Sequence, residues 1–221
     1  MTPDAAVAGA KKPFYKNPFL IGFVVGALIL TILPFLQRTQ LRAPEPISHL
    51  GDWSLVDQWG KPLGSKELAG KVWIASFFFA RCPSICPTQQ KDFLKILDHV
   101  DDLDQPIELV SFSVDPDNDK PEVLNAYARK LDASNATKGK WHLVTGSKET
   151  LKDILIKRFM VDMGDARALD GSADLFDISH SAKFALVDQN GAVRGYWSSD
   201  DLARGNLINA ARMLAKRGPN P

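Results

Sequence analysis

The sequence predicts an α/β sandwich built on a central mixed sheet and preceded by a single membrane-spanning helix. Three observations carry that prediction. Between residues 72 and 159, short apolar runs rich in β-branched and aromatic residues alternate with stretches of helical periodicity. A hairpin pattern and one further helical stretch then close the chain. Ahead of all these, residues 19–36 form an uncharged window interrupted only by Gly22, Gly26, Thr31 and Pro34.

The N-terminal window is 18 residues long. About 20 apolar residues cross a bilayer core, so it suffices for a short span. Lys11, Lys12 and Lys16 precede it, and Arg38 and Arg42 follow it. Positive-inside counting therefore keeps residues 1–18 cytoplasmic and sends the rest of the chain across the membrane. A cleaved signal peptide is the competing reading, but residues 38–43 offer no small-x-small cleavage site. An uncleaved anchor is expected. Residues 37–49, with Pro44 and Pro46, then read as a linker, residues 50–217 as one domain with a full core, and residues 218–221 as a tail.

Within the domain, residues 72–79 read as a buried strand. Phe93, Ile96, Leu97 and Val100 recur at helical spacing after it, and Pro87 suits the first turn of that helix. Residues 107–114 are the next strand, completing a βαβ unit. A helix follows Pro121 with Val123, Leu124, Tyr127 and Leu131 facing inward. Residues 141–145 read as a strand and 148–159 as an amphipathic helix. Residues 184–187 and 193–197 flank Asp188-Gln189-Asn190-Gly191, a hairpin turn signal, and Leu207, Ala211 and Leu214 mark the last helix. This order is that of a thioredoxin-like sandwich.

Composition narrows the function. Of 27 basic and 26 acidic residues, five and one precede Ala43, which leaves the remainder with a net charge of −3. No basic surface for nucleic acid is expected. The chain has two cysteines, Cys82 and Cys86, both in the turn between the first predicted strand and its helix, each followed by proline. Scattered cysteines are ordinarily just buried. A pair at i and i+4 on one helix face points instead to a shared metal or a reversible disulfide. The helix N-terminus is expected to favour thiolate. Two thiolates are too few for a closed zinc or iron–sulfur site, and a third, nitrogen ligand would complete a site that copper accepts.

Four histidines compete for that third place. His49 lies in the linker and His99 at the polar end of a helix, both read as solvated. His142 reads as outward-facing or ordinarily hydrogen-bonded. His180, in Asp177-Ile178-Ser179-His180-Ser181, precedes the hairpin strand. In a thioredoxin arrangement that loop faces the cysteine turn, so His180 is the candidate ligand. Asp115, Asp117 and Asp119 read first as a solvated turn capping the next helix, and second as an acidic rim for a partner. Residues 161–177, with four of its acids at Asp162, Asp165, Asp170 and Asp174, read as an exposed loop. Arg81 is either a thiolate-stabilising charge or a plain surface residue.

On these residues the chain resembles the Sco/SenC family of membrane-anchored copper proteins used in assembling cytochrome c oxidase. The resemblance runs from Phe78 through Cys82-Pro83-Ser84-Ile85-Cys86-Pro87, Ser113-Val114-Asp115-Pro116 and Asp119-x-Pro121. It continues to Trp141-His142-Leu143-Val144-Thr145-Gly146, Ser179-His180-Ser181 and Asp188-x-x-Gly191. It implies Cys82, Cys86 and His180 as ligands for copper, as Cu(I) or Cu(II). Two positions depart from the family pattern: Ala80 stands where threonine is frequent, and Ser179 where aspartate often precedes the histidine. The 161–177 insertion would lie near the site as a lid or docking surface.

The resemblance implies a metallochaperone that hands copper to the copper-site subunit of cytochrome c oxidase and exchanges it with other copper chaperones. The same cysteines support a second reading, a thiol–disulfide oxidoreductase that reduces the oxidase cysteines before metallation. A peroxidase of the peroxiredoxin type is disfavoured, because Phe79 occupies the position of that family's threonine. The expected location is a bacterial inner membrane, single-pass, with the domain on the periplasmic side.

Overall fold

The computed structural model describes residues 18–38, 43–83, 85–100, 106–132, 139–160 and 183–218, without the side chains of residues 34–38 and 85. The chain divides into two units, Met1–Arg42 and Ala43–Pro221. The first contains helix α1 (Pro18–Arg38), whose described side chains, including Phe19, Phe23 and Leu30, are largely apolar and exposed. Those side chains end at Leu33, and among the described residues no helix is long and apolar enough to cross a membrane.

The second unit is a mixed sheet with helices on it. Its strands are β1 (Ser48–His49), β2 (Ser54–Asp57), β3 (Pro62–Gly64), β4 (Trp73–Phe78), β5 (Glu108–Ser113), β6 (Trp141–Thr145), β7 (Lys183–Val187) and β8 (Ala192–Ser198). They lie in the order β1-β8-β7-β4-β5-β6-β2-β3. β4, β5 and β6 run parallel, and every other neighbour pair is antiparallel. Parallel neighbours need crossovers, and helices α2 (Ile85–Leu94) and α3 (Pro121–Leu131) supply them. β4 is buried at every position because it is covered on both faces.

Strand alternation sorts the core into two layers. Ile74 and Phe78 join Phe93, Leu109, Leu124, Trp141, Phe184 and Leu207 on one face, with Cys82 and Cys86 in the same cluster. Trp73, Ala75 and Phe77 join Trp53, Val110, Phe112 and Phe159 on the other. Helix α5 (Asp201–Arg217) closes the first layer with Leu207, Ala211 and Leu214, all buried as their spacing predicts. Asp200 caps it by accepting the Ala203 N–H.

The structure corrects several local expectations. His49 and Ser48, read as linker, pair with β8 as an edge strand. The helical face after the cysteines is split: α2 ends at Leu94, and Leu97 sits on a separate 3₁₀ turn, Leu97–His99. Val123, expected inward, is 39% exposed, while Leu124 and Tyr127 are buried. The 148–159 helix begins as α4 (Lys148–Lys152) and continues as a π-helix, Asp153–Arg158. The Phe159 N–H there reaches Ile154, five residues back, and Phe159 is fully buried against Trp73, Phe77 and Phe112. At the β7–β8 turn only Gly191 takes a left-handed φ, +75°, while the buried Asp188 carboxylate accepts the Asn190 and Ala192 N–H groups.

Candidate metal centre

β4 is central and ends in Phe78, so the chain leaves the sheet there for the cysteine turn. The Cys82 N–H donates to the Phe79 carbonyl at 3.2 Å, which bends the backbone into the turn. Four residues later Cys86 lies in the first turn of α2, and its N–H donates to Cys82 Sγ at 3.4 Å. No disulfide joins the two, and both are buried. The Cys82 sulfur therefore occupies a helix N-terminus, a favourable place for negative charge.

Cys86 departs from the expectation of a stabilised thiolate. Burial first, and then its contact with Cys82, push its thiol from 9.0 up to about 12, although the Phe79 backbone opposes the rise. Desolvation outweighs the helix field here, so the metal-free Cys86 is a thiol.

The acids after β5 are also not what turn chemistry suggests. Asp117 is exposed, but Asp115 and Asp119 are buried. Asp119 accepts the Ala80 N–H at 3.1 Å and the Ser113 hydroxyl at 2.6 Å, tying the chain just before Cys82 to the end of β5. Burial raises the Asp119 carboxyl, and these bonds only partly oppose that. It does not cap α3, because Lys120 occupies the N-cap. Burial would also raise Asp115, but the Asn118 amide and the Arg81 guanidinium hold it below the usual carboxylate range. Arg81 Nη2 lies 2.7 Å from Asp115, so the guanidinium is spent on that carboxylate at the rim of the turn.

Tyr127 completes the wall of the site. Its ring stacks on Phe78 with centroids 5.1 Å apart, and its buried hydroxyl has no hydrogen-bond partner among the described residues. Periodicity put Tyr127 inward, and it joins the buried cluster that holds Cys82 and Cys86. Ser113 was within reach of sequence reasoning: serines at 111 and 113 alternate along an apolar strand, which places two hydroxyls on one face.

The histidines separate clearly. His49 is exposed on β1, and His99 is exposed with its carbonyl accepting Arg212. His142 is on the opposite face of β6 from Trp141 and Leu143, with Nε2 3.5 Å from Glu108 and Nδ1 4.0 Å from Asp57. His180 and the whole 161–177 loop lie outside the described residues. β7 runs antiparallel to β4, so Lys183, its first residue, stands at the end of the sheet where β4 leaves for the cysteine turn. Among the described residues no group of three His, Cys, Asp or Glu side chains is placed to hold a metal ion. The cysteine turn does present two adjacent sulfur donors, a set that fits a soft ion such as Cu(I).

Residues 42–216 match the protein family described as SCO1/SenC. The chain belongs to that family. It is 30% identical over 154 residues to a SCO2-like protein of Rickettsia prowazekii (strain Madrid E), across 70% of this chain and 71% of that one. A solved SCO1/SenC family lipoprotein from Bacillus anthracis str. Ames is similar with TM-score 0.62 and 32% identity, covering 77% of this chain and 98% of its own. The fold is shared with BsSco, described as a member of the Sco family of cytochrome c oxidase assembly proteins with a disulfide switch. That match has TM-score 0.62 and 23% identity over 78% of this chain and 97% of BsSco. Bradyrhizobium japonicum ScoI, solved with copper bound, has the same fold at TM-score 0.54 and 21% identity, over 74% and 98% of the two chains.

Proposed function

We propose that this SCO1/SenC protein carries copper to a copper site of cytochrome c oxidase during its assembly. Cys82 and Cys86 would hold the ion as thiolates and His180 as an imidazole. The observation that carries the reading is the adjacent, buried thiol pair at the start of α2. Its presence in a family with copper-bound and oxidase-assembly members supports it. His180 is three residues before Lys183, which stands at the same end of the sheet as the cysteine turn. Cys86 gives up its proton when it takes the ion, and release to the oxidase subunit returns that proton. Transfer is then ligand exchange, with no covalent bond made or broken in a substrate. The uncharged window at residues 19–36 and the lysines ahead of it support a single-pass anchor in a bacterial inner membrane with a periplasmic domain.

The test is an anaerobic copper titration of the reduced full chain beside its His180→Ala variant, with a chelator of known strength competing. One tight copper per chain, with Cu(II) weakened more than Cu(I) by the variant, is the expected result. Weak binding that ignores His180 would sink the three-ligand site.

A second reading has its own support, since the Cys86 N–H reaches Cys82 Sγ with no disulfide between the two cysteines, and BsSco is described as having a disulfide switch. In it the pair is oxidised to a disulfide while the disulfide of an oxidase copper site is reduced to two thiols. Metal-free His180→Ala protein that still reduces such a disulfide would favour this activity.

A further inference from the structure

The β2–β3 turn and the outer side of α3 enclose a groove that the carrier reading leaves unused. It holds about 620 Å³, and Trp59, Pro121, Glu122, Asn125, Ala126 and Arg129 are among the residues that line it. The Asn125 amide joins the two elements by donating to the Gln58 carbonyl at 3.2 Å. Trp59 is fixed beside the helix: its ring meets the His142 ring edge-on at 5.9 Å, and its backbone N–H donates to Asp57. It is nonetheless 49% exposed. Tryptophan and arginine are the side chains that most often anchor protein interfaces. Leu124 and Tyr127 carry the other side of α3 into the core, while Glu122, Ala126 and Arg129 are exposed.

Charge decides what fits there. Glu122 and Arg129 are seven residues apart, two helical turns or about 10.5 Å along one side of α3. Neither side chain has an ion-pair partner among the described residues. Asn125 and the small Ala126 lie midway between them. The pattern is its own complement. About a twofold axis between residues 125 and 126, a second α3 runs antiparallel to the first, with its Arg129 against Glu122 and its Glu122 against Arg129. Each α3 is also a ridge beside a groove, so each helix fits the hollow between the other's α3 and Trp59. The helix dipole favours an acid early in α3 and a base late in it, but it does not call for a half-exposed tryptophan beside them. We propose that this face is an interface between two copies of the chain, paired about the middle of α3, with Trp59 of each copy covering the helix of the other. The pairing does not depend on the copper reading.

The test is sedimentation equilibrium of the full chain in density-matched detergent. It compares wild type, Glu122→Arg, Arg129→Glu and an equal mixture of the two variants. Both positions are exposed, so the fold should survive, and circular dichroism checks that it does. Wild type is expected to dimerise. Each variant alone sets two like-charged pairs across the axis, and its dissociation constant should rise about tenfold or more. The mixture should recover wild-type association, because one copy then offers two arginines and the other two glutamates at the facing positions. A monomeric wild type would overturn the proposal and leave the groove to a different protein. Variants that dimerise as wild type does would overturn it by placing the contact elsewhere, α1 included. A mixture no tighter than its components would overturn it too, because the charges would then not meet across the axis.

Discussion

Cys86 and Gln90 are four residues apart on one face of α2, and both are fully buried, yet their surroundings are built in opposite ways. Gln90 accepts the Ser111 hydroxyl at 2.8 Å and donates its amide to Ser76 at 3.1 Å. The two serine hydroxyls are 2.8 Å apart, and the Trp141 indole N–H reaches Ser111 at 2.9 Å. Every member of that cluster finds a bond, and the cluster clamps α2 to β4, β5 and β6. One turn toward the N-terminus, Cys86 is held as a buried thiol, and the buried Tyr127 hydroxyl has no hydrogen-bond partner among the described residues. A satisfied buried network adds to stability, whereas an unsatisfied one detracts from it. The saturated network sits at Gln90 and the two cysteines lie one turn earlier, so on the proposed function the thiols are the working end of the helix and Gln90 is its fastening.

The sharpest way to break this contrast is to exchange the consequences. Cys82→Ala and Cys86→Ala should each weaken Cu(I) binding by more than ~100-fold, beyond the range that outer contacts reach. Neither should unfold the domain, because alanine removes a thiol whose buried polarity stabilises little. Chelator competition reads the first effect and chemical denaturation the second. Copper binding that survives in either variant would put the ligands elsewhere.

Gln90→Ala should do the reverse. It leaves two serine hydroxyls short of their partner, at about 1–3 kcal/mol of folding stability. Denaturant midpoints would show the loss. Copper affinity should be unchanged, and a loss comparable to that of the cysteine variants would erase the distinction between fastening and site.

Much of this arrangement is legible in the sequence, and the exceptions share a cause. Residues 141–145 coincide with β6 because a buried strand announces itself by local pattern. Leu207, Ala211 and Leu214 are buried as helical spacing requires. The cysteine turn is visible because spacing and flanking prolines are local as well. Asp115 and Asp119 were misread as solvated because aspartate is common in turns. What buries Asp119 is the Ala80 N–H, 39 residues away in sequence, and no local pattern contains that partner. The same holds for the π-helical turn before Phe159, which follows from aromatic packing across the sheet. His180 was singled out by its place in the thioredoxin order, and it lies outside the described residues.

The proton on Cys86 sharpens the comparison from another side. Metal uptake must remove it, so apparent Cu(I) affinity should rise about tenfold, or about 1.4 kcal/mol, per pH unit on account of this thiol. That slope should persist toward pH 12, where the folded thiol ionises. Without copper the linkage acts on folding. Below pH 9 the thiol is protonated in both states and contributes nothing; above it the unfolded thiol ionises first, so stability falls with rising pH. Urea denaturation of the metal-free protein at pH 8 and pH 10 should show the decline, and Cys86→Ala should remove this contribution to it. A flat pH profile of copper affinity would mean that Cys86 enters the site already ionised.

The smallest effect belongs to Arg81, at the rim of the same turn. Its side chain is 61% exposed, and its partner Asp115 is buried. Solvent screens such a pair, so Arg81→Ala should cost less than about 1 kcal/mol at neutral pH. The acid side is more informative. The depressed Asp115 carboxyl contributes stability above its unfolded pKa, and that contribution is lost as pH falls through the lower, folded value. Removing the guanidinium leaves Asn118 as the main group opposing burial, so the folded value should rise and the loss should set in at higher pH. Thermal melting from pH 7 to pH 3 would reveal that displacement. Copper affinity should not follow it, because the guanidinium is turned to Asp115, and Asp119 still ties Ala80 to the end of β5. If Arg81→Ala instead weakened copper as strongly as a thiol change does, the rim would belong to the ion site, and the boundary between fastening and working end would have to be redrawn around Asp115.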